Sequence, residues 1–115
     1  MTLDNVLFLT ACVNPGGMAY TKLQDGNVRL LQYKKALDWY LGHSDLPILV
    51  VENTMTDFSA DYQSYIDSGR LEYLTFDGNQ FDKSKGKGYG EMLIMKYGME
   101  HSRFLKEAKR VTKPE

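Results

Sequence analysis

Cysteine is almost absent from this chain of 115 residues, which contains Cys12 alone. A single thiol excludes an internal disulfide and any metal site built from several cysteines. Histidine is nearly as scarce, because the two histidines, His43 and His101, lie far apart in the sequence. The motifs HExxH, GxSxG and CxxC do not occur. These absences make a zinc enzyme a poor interpretation, and no metal ligands are predicted.

The sequence also has no long apolar run and no excess of charge. No stretch approaches the roughly 20 apolar residues that span a bilayer, and residues 1–13 lack the basic start and cleavage pattern of a signal peptide. Fourteen basic and fifteen acidic side chains give a net charge of -1. Such a chain has no overall field to hold nucleic acid or an anionic membrane. We therefore expect a cytoplasmic protein without a transmembrane segment or a nucleic-acid partner.

The charges are unevenly distributed along the chain. Residues 83–115 carry nine Lys or Arg and four Glu, whereas residues 1–82 carry five basic and eleven acidic side chains. A basic final third suits a phosphorylated ligand or an acidic partner. It also suits a helix face that is only solvated, and the charge pattern does not separate these interpretations.

The segment LPILVVENTMTD at residues 46–57 predicts the central strand. Its continuous apolar run, rich in β-branched residues, is typical of a strand buried on both faces of a parallel sheet. The run stops at Glu52, Asn53 and Thr54, so a carboxylate, an amide and a hydroxyl emerge at the strand's carboxyl end. In open α/β sheets, ligands bind at that edge.

Strands and helices alternate on either side of this segment. The first strand is predicted at residues 5–13 and ends in a loop from Asn14 to Gln24, which precedes a helix reaching about Leu41. A short helix follows at residues 59–68 and a third strand at residues 71–76. The final helix begins at Tyr89, and its methionines are predicted to fill gaps in the core.

This order predicts a single α/β domain over residues 1–115. Strands that alternate with helices imply a mostly parallel sheet with right-handed crossovers. Three strands and three helices in the order βαβαβα form a small three-layer, half-Rossmann arrangement. Residues from about 103 to 115 are predicted to be a basic, fraying C-terminal extension.

A glycine-rich segment, KGKGYGE, opens the final helix at residues 85–91. Backbone N–H groups at a helix start, with glycines that admit close approach and lysines nearby, can hold an anion. The segment matches neither the P-loop pattern nor GxGxxG, since Gly86 and Gly88 are followed by Gly90. A phosphate site and a solvated lysine loop therefore both remain open.

Polar side chains at the strand ends are the second candidate site. Glu52 can accept hydrogen bonds from a base N–H or from ribose hydroxyls, and Asn53 can both donate and accept. Thr10 and Asn14 lie at the end of the neighbouring strand, and we expect all of these side chains to converge on one pocket. Alternatively, Asn53 only starts a turn and Glu52 is solvated.

Three segments together resemble the N-terminal half of a GT-A glycosyltransferase of the family 2 type, which assembles bacterial polysaccharides. NVLFLTACVNP corresponds to the family's first strand. ILVVENTMTD corresponds to the family's strand that is followed by an acidic residue and a turn. KGKGYGEMLIMKYGMEHS stands for its glycine-rich loop and helix. The resemblance covers residues 5–102.

This resemblance implies binding of a nucleotide-sugar, most simply of the UDP type. The residues that it assigns to nucleotide binding are Thr10, Asn14, Glu52, Asn53, Lys87, Gly88 and Glu91. A complete relative would use Mg²⁺ or Mn²⁺ on an Asp-x-Asp motif and a later catalytic base, and this sequence contains neither. It therefore implies a truncated or short relative with no cofactor of its own, no assigned catalytic residue and no catalysis by itself.

Two other interpretations remain. A non-catalytic α/β interaction or structural protein can form a homodimer through an exposed sheet edge. A response-regulator-like or flavodoxin-like module fits less well, because no acidic cluster follows the first strand and few aromatic residues lie near the strand ends.

Overall fold

The structure is a computed structural model that describes residues 3–14, 26–80 and 82–113. The predicted loop after the first strand, apart from Asn14, lies outside these ranges. Two 3-10 turns, Ser59–Tyr62 and Lys83–Lys85, precede the second and third helices. The strands and helices are, in chain order, β1 (Val6–Ala11), α1 (Gly26–His43), β2 (Ile48–Glu52), α2 (Gln63–Asp67), β3 (Leu71–Thr75), α3 (Lys87–His101), α4 (Arg103–Glu107) and β4 (Val111–Thr112).

The strands form one sheet in the order β3-β2-β1-β4, and every pairing is parallel. The predicted α/β class is confirmed, and the arrangement is compatible with a small Rossmann-like half. The prediction of three strands was wrong, because β4 adds a fourth beside β1. Strands β2 and β3 extend the sheet on one side of β1, whereas β4 lies on the other. Doubly wound sheets bind ligands where the strand order reverses, which here is between β1 and β4.

Strand β2 is buried along its whole length, as its apolar run predicts. Side chains alternate between the two faces of a strand. Val50 accordingly packs in the cluster under α1, with Leu37 and Phe58. Val51 packs in the cluster under α3, with Phe8 and other buried residues. The sheet is therefore the middle of three layers.

Gly98 brings α3 close to the sheet. A Cβ atom at this position would lie 2.9 Å from the Phe8 ring and 3.5 Å from a Val51 methyl group. Nearer the N-terminus of α3, Glu91 accepts a hydrogen bond from Thr10 near the end of β1. Helix α3 therefore runs against the strand direction, and its N-terminus lies at the carboxyl edge of the sheet.

The methionines of α3 face outwards, so the prediction that they fill the core was wrong. Met92, Met95 and Met99 are 51%, 38% and 67% exposed, and they recur on one side of the helix. Ile94, Gly98 and the partly buried Tyr97 supply the buried side instead. The segment is apolar in nearly every position, so periodicity alone did not identify which side is buried.

The expected fraying tail forms α4 and β4 instead. Glu72 of β3 accepts hydrogen bonds from the Ser102 hydroxyl at 2.6 Å and from the N–H groups of Arg103 and Phe104 at 2.9 and 3.1 Å. Ser102 in turn accepts from the N–H of Leu105. A carboxylate 30 residues away in sequence thus caps α4. Among the helices in the described ranges, none has the length and hydropathy to cross a membrane.

Candidate ligand site at the carboxyl edge of the sheet

Glu52 is fully buried and joins the ends of three strands. One carboxylate oxygen accepts from the N–H groups of Thr54 and Thr56 at 2.9 Å each and from the Thr75 hydroxyl at 2.8 Å. The other accepts from the N–H of Val13 at 2.9 Å and from the Thr54 hydroxyl. Because five internal donors use the lone pairs of both oxygens, this geometry favours a positioning role for Glu52 over contact with a ligand.

The turn after β2 is fixed to the end of β1 by a second set of hydrogen bonds. The N–H of Asn14 donates to the Thr54 hydroxyl at 3.2 Å, and its side-chain amide donates to the Thr56 hydroxyl at 2.9 Å. Tyr73 donates to the carbonyl of Thr56 at 2.6 Å. Burial raises the pKa of the Tyr73 phenol, so it stays a neutral donor at physiological pH. Asn14 is exposed and thus available at the rim.

Thr10 and Glu52 do not share a pocket, in contrast to the expected convergence. Ala11 and Glu52 are paired across β1 and β2, and Ala11 belongs to the α1 side of the sheet. Thr10 points to the opposite side, because adjacent residues of a strand alternate. Its hydroxyl donates to Glu91 of α3 at 3.1 Å. The predicted site residues are thus divided between the two faces of the sheet.

Polar side chains of Thr10, Glu91 and Lys113 contact one another in turn on the α3 side of the sheet, at the end of β1. Glu91 accepts from Thr10 with one carboxylate oxygen, and the other lies 3.2 Å from the ammonium group of Lys113. Both charged side chains are more than one third exposed, so the pair contributes only about 0–1 kcal/mol to stability. Lys113 was not predicted as a site residue, because it was assigned to the tail.

Asn53 is 3% exposed, and its side-chain oxygen has no hydrogen-bond partner in the part of the chain that the structure describes. Its N–H continues the β1–β2 ladder by donating to Ala11 at 3.0 Å. The alternation of side chains therefore puts Asn53 on the α3 side, next after Val51. A buried acceptor without a donor costs about 1–3 kcal/mol, so a donor supplied by a ligand would be stabilising.

Helix α3 starts at this same edge without a side-chain cap. Gly86 occupies the N-cap position with φ 90° and ψ 169°, a conformation that is nearly restricted to glycine, and it has no side chain to cap the helix. A Cβ atom at Gly86 or Gly88 would meet nothing within 4 Å. These N–H groups carry part of the positive end of the helix dipole. The start of α3 thus combines an N-cap that has no side chain with open space around two glycines.

Lysine side chains surround the start of α3 in the sequence. Lys85 lies 5.0 Å from the centroid of the Tyr89 ring, which is within the range of a cation–π contact. The side chains of Lys83 and of the predicted site residue Lys87 are outside the described parts of the structure.

Tyr33 packs against the core under α1, and its hydroxyl also takes part in the polar edge of β1. This hydroxyl accepts from the N–H of Cys12 at 3.0 Å and lies 3.1 Å from a nitrogen of Arg29. Arg29 also donates to the carbonyl of Cys12 at 2.6 Å. No signal in the sequence pairs Tyr33 with Cys12, because their contact depends on how α1 lies over β1.

Within residues 3–14, 26–80 and 82–113, no group of three or more His, Cys, Asp or Glu side chains is arranged to hold a metal ion. Comparisons with protein-family models, with curated proteins and with solved structures gave no significant match.

Proposed function

We propose that this chain binds a nucleoside-diphosphate sugar at the carboxyl edge of its sheet and that it is a GT-A-like binding half-domain rather than a complete transferase. The single observation that supports this proposal most is the buried side-chain oxygen of Asn53, which has no donor among the described residues. Helix α3 starts at the same edge of the sheet, and its N-cap residue, Gly86, has no side chain to cap it.

The start of α3 and the Asn53 oxygen favour different kinds of ligand group, and a nucleotide contains both kinds. The helix N-terminus favours an anion such as a diphosphate. The Asn53 oxygen is an acceptor and requires an N–H or O–H group, which a nucleobase or a sugar supplies. A simple anion would interact with the helix N-terminus but would supply no donor to the Asn53 oxygen.

The local charge is compatible with a phosphate ligand. Glu91 lies in the second turn of α3, but Lys113 pairs with it at 3.2 Å and offsets its charge. Lys85 lies next to the helix start and is exposed. A diphosphate here therefore faces a net positive surrounding, strengthened by the helix dipole.

In this proposal the predicted residues have different roles. Asn53 and the backbone of Gly88 contact the ligand, and Asn14 is available at the rim. Glu52 holds the strand ends in position from within the protein. Thr10 orients Glu91 through its hydrogen bond.

Transfer chemistry is not proposed for this chain alone. A diphosphate leaving group acquires charge in the transition state, and stabilising that charge is a large part of catalysis. The sequence contains no Asp-x-Asp pair to place a divalent cation on the diphosphate. Mg²⁺ or Mn²⁺ is expected only in a complete relative.

The proposal is tested by titration calorimetry with UDP, UDP-glucose, GDP, CDP and dTDP at up to millimolar concentration. We expect at least one diphosphate to bind, most simply UDP or its sugar. Asn53→Leu and Gly86→Ala should each weaken the affinity tenfold or more. Gly42→Ala, an exposed position of α1 with open space around it, is the matched control. Absence of binding by every one of these nucleotides would contradict the proposal.

A second candidate function is that of a structural protein that forms a homodimer through the sheet. The observation that favours it is the outer edge of β3, which has no neighbouring strand in the described part of the chain and contains neither proline nor lysine to discourage pairing. Light scattering separates the two functions. A stable dimer without any nucleotide affinity supports the second candidate.

A further inference from the structure

Strand β1 has an outer edge that the sheet covers only in part. On its inner side β1 pairs with β2 from Leu7 to Ala11. On its outer side β4 pairs with Val6 and Leu7 alone. The second half of the β1 outer edge, from Phe8 onwards, therefore has no neighbouring strand among the described residues.

The chain sequence explains why β4 stops at Thr112. In a parallel ladder that continues the Val6 and Leu7 pairs, residue 114 would donate its N–H to the carbonyl of Phe8. Residue 114 is a proline and has no N–H. A proline at this position therefore supplies no backbone donor to the Phe8 carbonyl.

The hydrogen-bonding groups on this edge are identified by the register. Leu7 donates to Pro47, and Ala11 accepts from Asn53, so the odd-numbered residues of β1 face β2. Thr10 and Phe8 therefore direct their backbone groups outwards. The N–H and C=O of Thr10 have no partner in the described parts of the chain. Such groups are a template for one more strand.

A cavity of about 210 Å³ opens along the same edge, between β1 and α1. Its lining is largely apolar and includes Leu9, Ala11, Leu37, Tyr40 and Phe58, and Lys113 also lines it. This volume is larger than the engineered apolar cavity of roughly 150 Å³ that admits benzene. It therefore accommodates an apolar side chain as large as phenylalanine.

The charge around this edge favours an acidic partner. Lys113, the residue after β4, lines the cavity and is exposed. Its ion pair with Glu91 is itself exposed and therefore weak. An acidic residue of a segment that lies along the end of β1 can pair with this ammonium group.

We propose that the outer edge of β1, from Phe8 to Ala11, together with the adjacent cavity under α1, is a docking site for an extended acidic peptide with one apolar anchor residue. The peptide forms an additional strand next to β1, in line with β4 beyond Thr112. It exchanges backbone hydrogen bonds with Thr10. Its anchor side chain enters the cavity, and an acidic residue next to the anchor pairs with Lys113. This inference does not depend on nucleotide binding.

The first test follows backbone amides of the wild-type protein by NMR hydrogen exchange. The probe is the peptide acetyl-Glu-Val-Phe-Val-Glu-amide. We expect the Thr10 amide to exchange at least tenfold more slowly when peptide is bound, whereas the amides of Leu9 and Ala11, already bonded to β2, change little. Binding that leaves Thr10 exchange unchanged would overturn the proposal.

Two altered peptides separate the contributions of the edge and the cavity. Alanine in place of phenylalanine removes the anchor, and N-methylation of the central residues removes the strand donors. Fluorescence anisotropy should show at least tenfold weaker binding for each. Equal binding by all three peptides would indicate charge attraction alone and contradict a strand-docking site.

Protein variants test the same site from the other side. Ala11→Leu fills the cavity and should weaken peptide binding at least tenfold, whereas Ala60→Leu, at an exposed position of the Ser59–Tyr62 turn, should not. Lys113→Gln should weaken binding more than Lys106→Gln, which removes the same charge outside the cavity. If Thr10 is instead protected without peptide and the mass doubles in light scattering, the occupant is a second copy and the proposal is wrong.

Discussion

The carboxylate of Glu52 lies 2.9 Å from the backbone N–H of Val13, in the interior of the protein. This bond joins the end of β2 to the residues just after β1, although the two positions are 39 residues apart. Hydrogen bonds from Thr54, Thr56 and Thr75 complete the coordination of the same carboxylate. One side chain therefore joins the ends of β1, β2 and β3 at the carboxyl edge of the sheet.

Replacing Glu52 with glutamine should destabilise the protein. One acceptor oxygen becomes an NH₂ group, which then faces donors such as the N–H of Val13 and leaves them unsatisfied. Each buried unsatisfied donor costs about 1–3 kcal/mol, so a loss of about 2–4 kcal/mol is expected in urea denaturation. Glu100→Gln at an exposed position of α3 should change stability by less than about 0.5 kcal/mol. If Glu52→Gln keeps full stability and loses only nucleotide affinity, Glu52 contacts the ligand directly.

Replacing Asn53 with leucine should separate stability from binding. The Asn53 oxygen is buried without a partner among the described residues, so an apolar side chain of similar size removes an unsatisfied group. We expect the free energy of unfolding to change by less than about 1 kcal/mol or to increase. Thermal denaturation of the free protein measures this, beside the calorimetric affinity for UDP. A loss of several kcal/mol would mean that Asn53 has a structural role instead.

Gly98→Val should destabilise the packing of α3 on the sheet. The Cβ atom of any residue at this position lies 2.9 Å from the Phe8 ring, and valine adds two methyl groups there. Overpacking of this kind costs about 1–3 kcal/mol, which outweighs the gain of well under 1 kcal/mol in helix propensity. Gly42→Val, with open space around it, is the matched control. Equal stability of the two variants in urea denaturation would show that α3 does not approach Phe8 so closely.

Stability should fall at alkaline pH through two buried tyrosines. Burial raises the pKa of Tyr62 above the ordinary value of 10.0, with Asp38 acting in the same direction, and burial also raises the pKa of Tyr73. The folded state therefore binds these protons more tightly than the unfolded state. Their stabilising contribution is complete below pH 10 and is lost as the pH rises above it.

Circular dichroism melts at several pH values between 8 and 11.5 measure this loss. Tyr62→Phe should reduce the alkaline decline, because phenylalanine does not ionise. Tyr65→Phe, at a residue that is 38% exposed, serves as the control and should leave the decline unchanged. A melting temperature that is constant up to pH 11.5 contradicts the expectation.

The strand pattern could be predicted because it depends on local apolar sequence. The run Ile48 to Val51 has no polar interruption, so it fits only a strand or helix that is buried all round, and its β-branched residues favour a strand. The helical recurrence of Leu30, Leu37 and Leu41 likewise marks the side of α1 that packs on the sheet. The class of fold follows from such alternation.

The end of the chain could not be predicted in this way. Ser102 caps α4 locally by accepting from the N–H of Leu105, but Glu72, on another strand, also accepts from its hydroxyl and from the following N–H groups. β4 is two residues long and gains its partners from β1. Neither element has enough local pattern to be recognised, since part of the capping and all of the strand pairing are supplied by residues distant in sequence.

By itself, the sequence determined that the chain folds as alternating strands and helices with polar residues at the strand ends, because apolar periodicity is a local property. Only the tertiary structure decided that Glu52 points inwards to five donors and that Thr10 points to the opposite side. It also decided that Asn53 lies buried without a partner among the described residues. These outcomes depend on strand register and on which helix covers which face, and both are fixed by contacts between residues far apart in the chain.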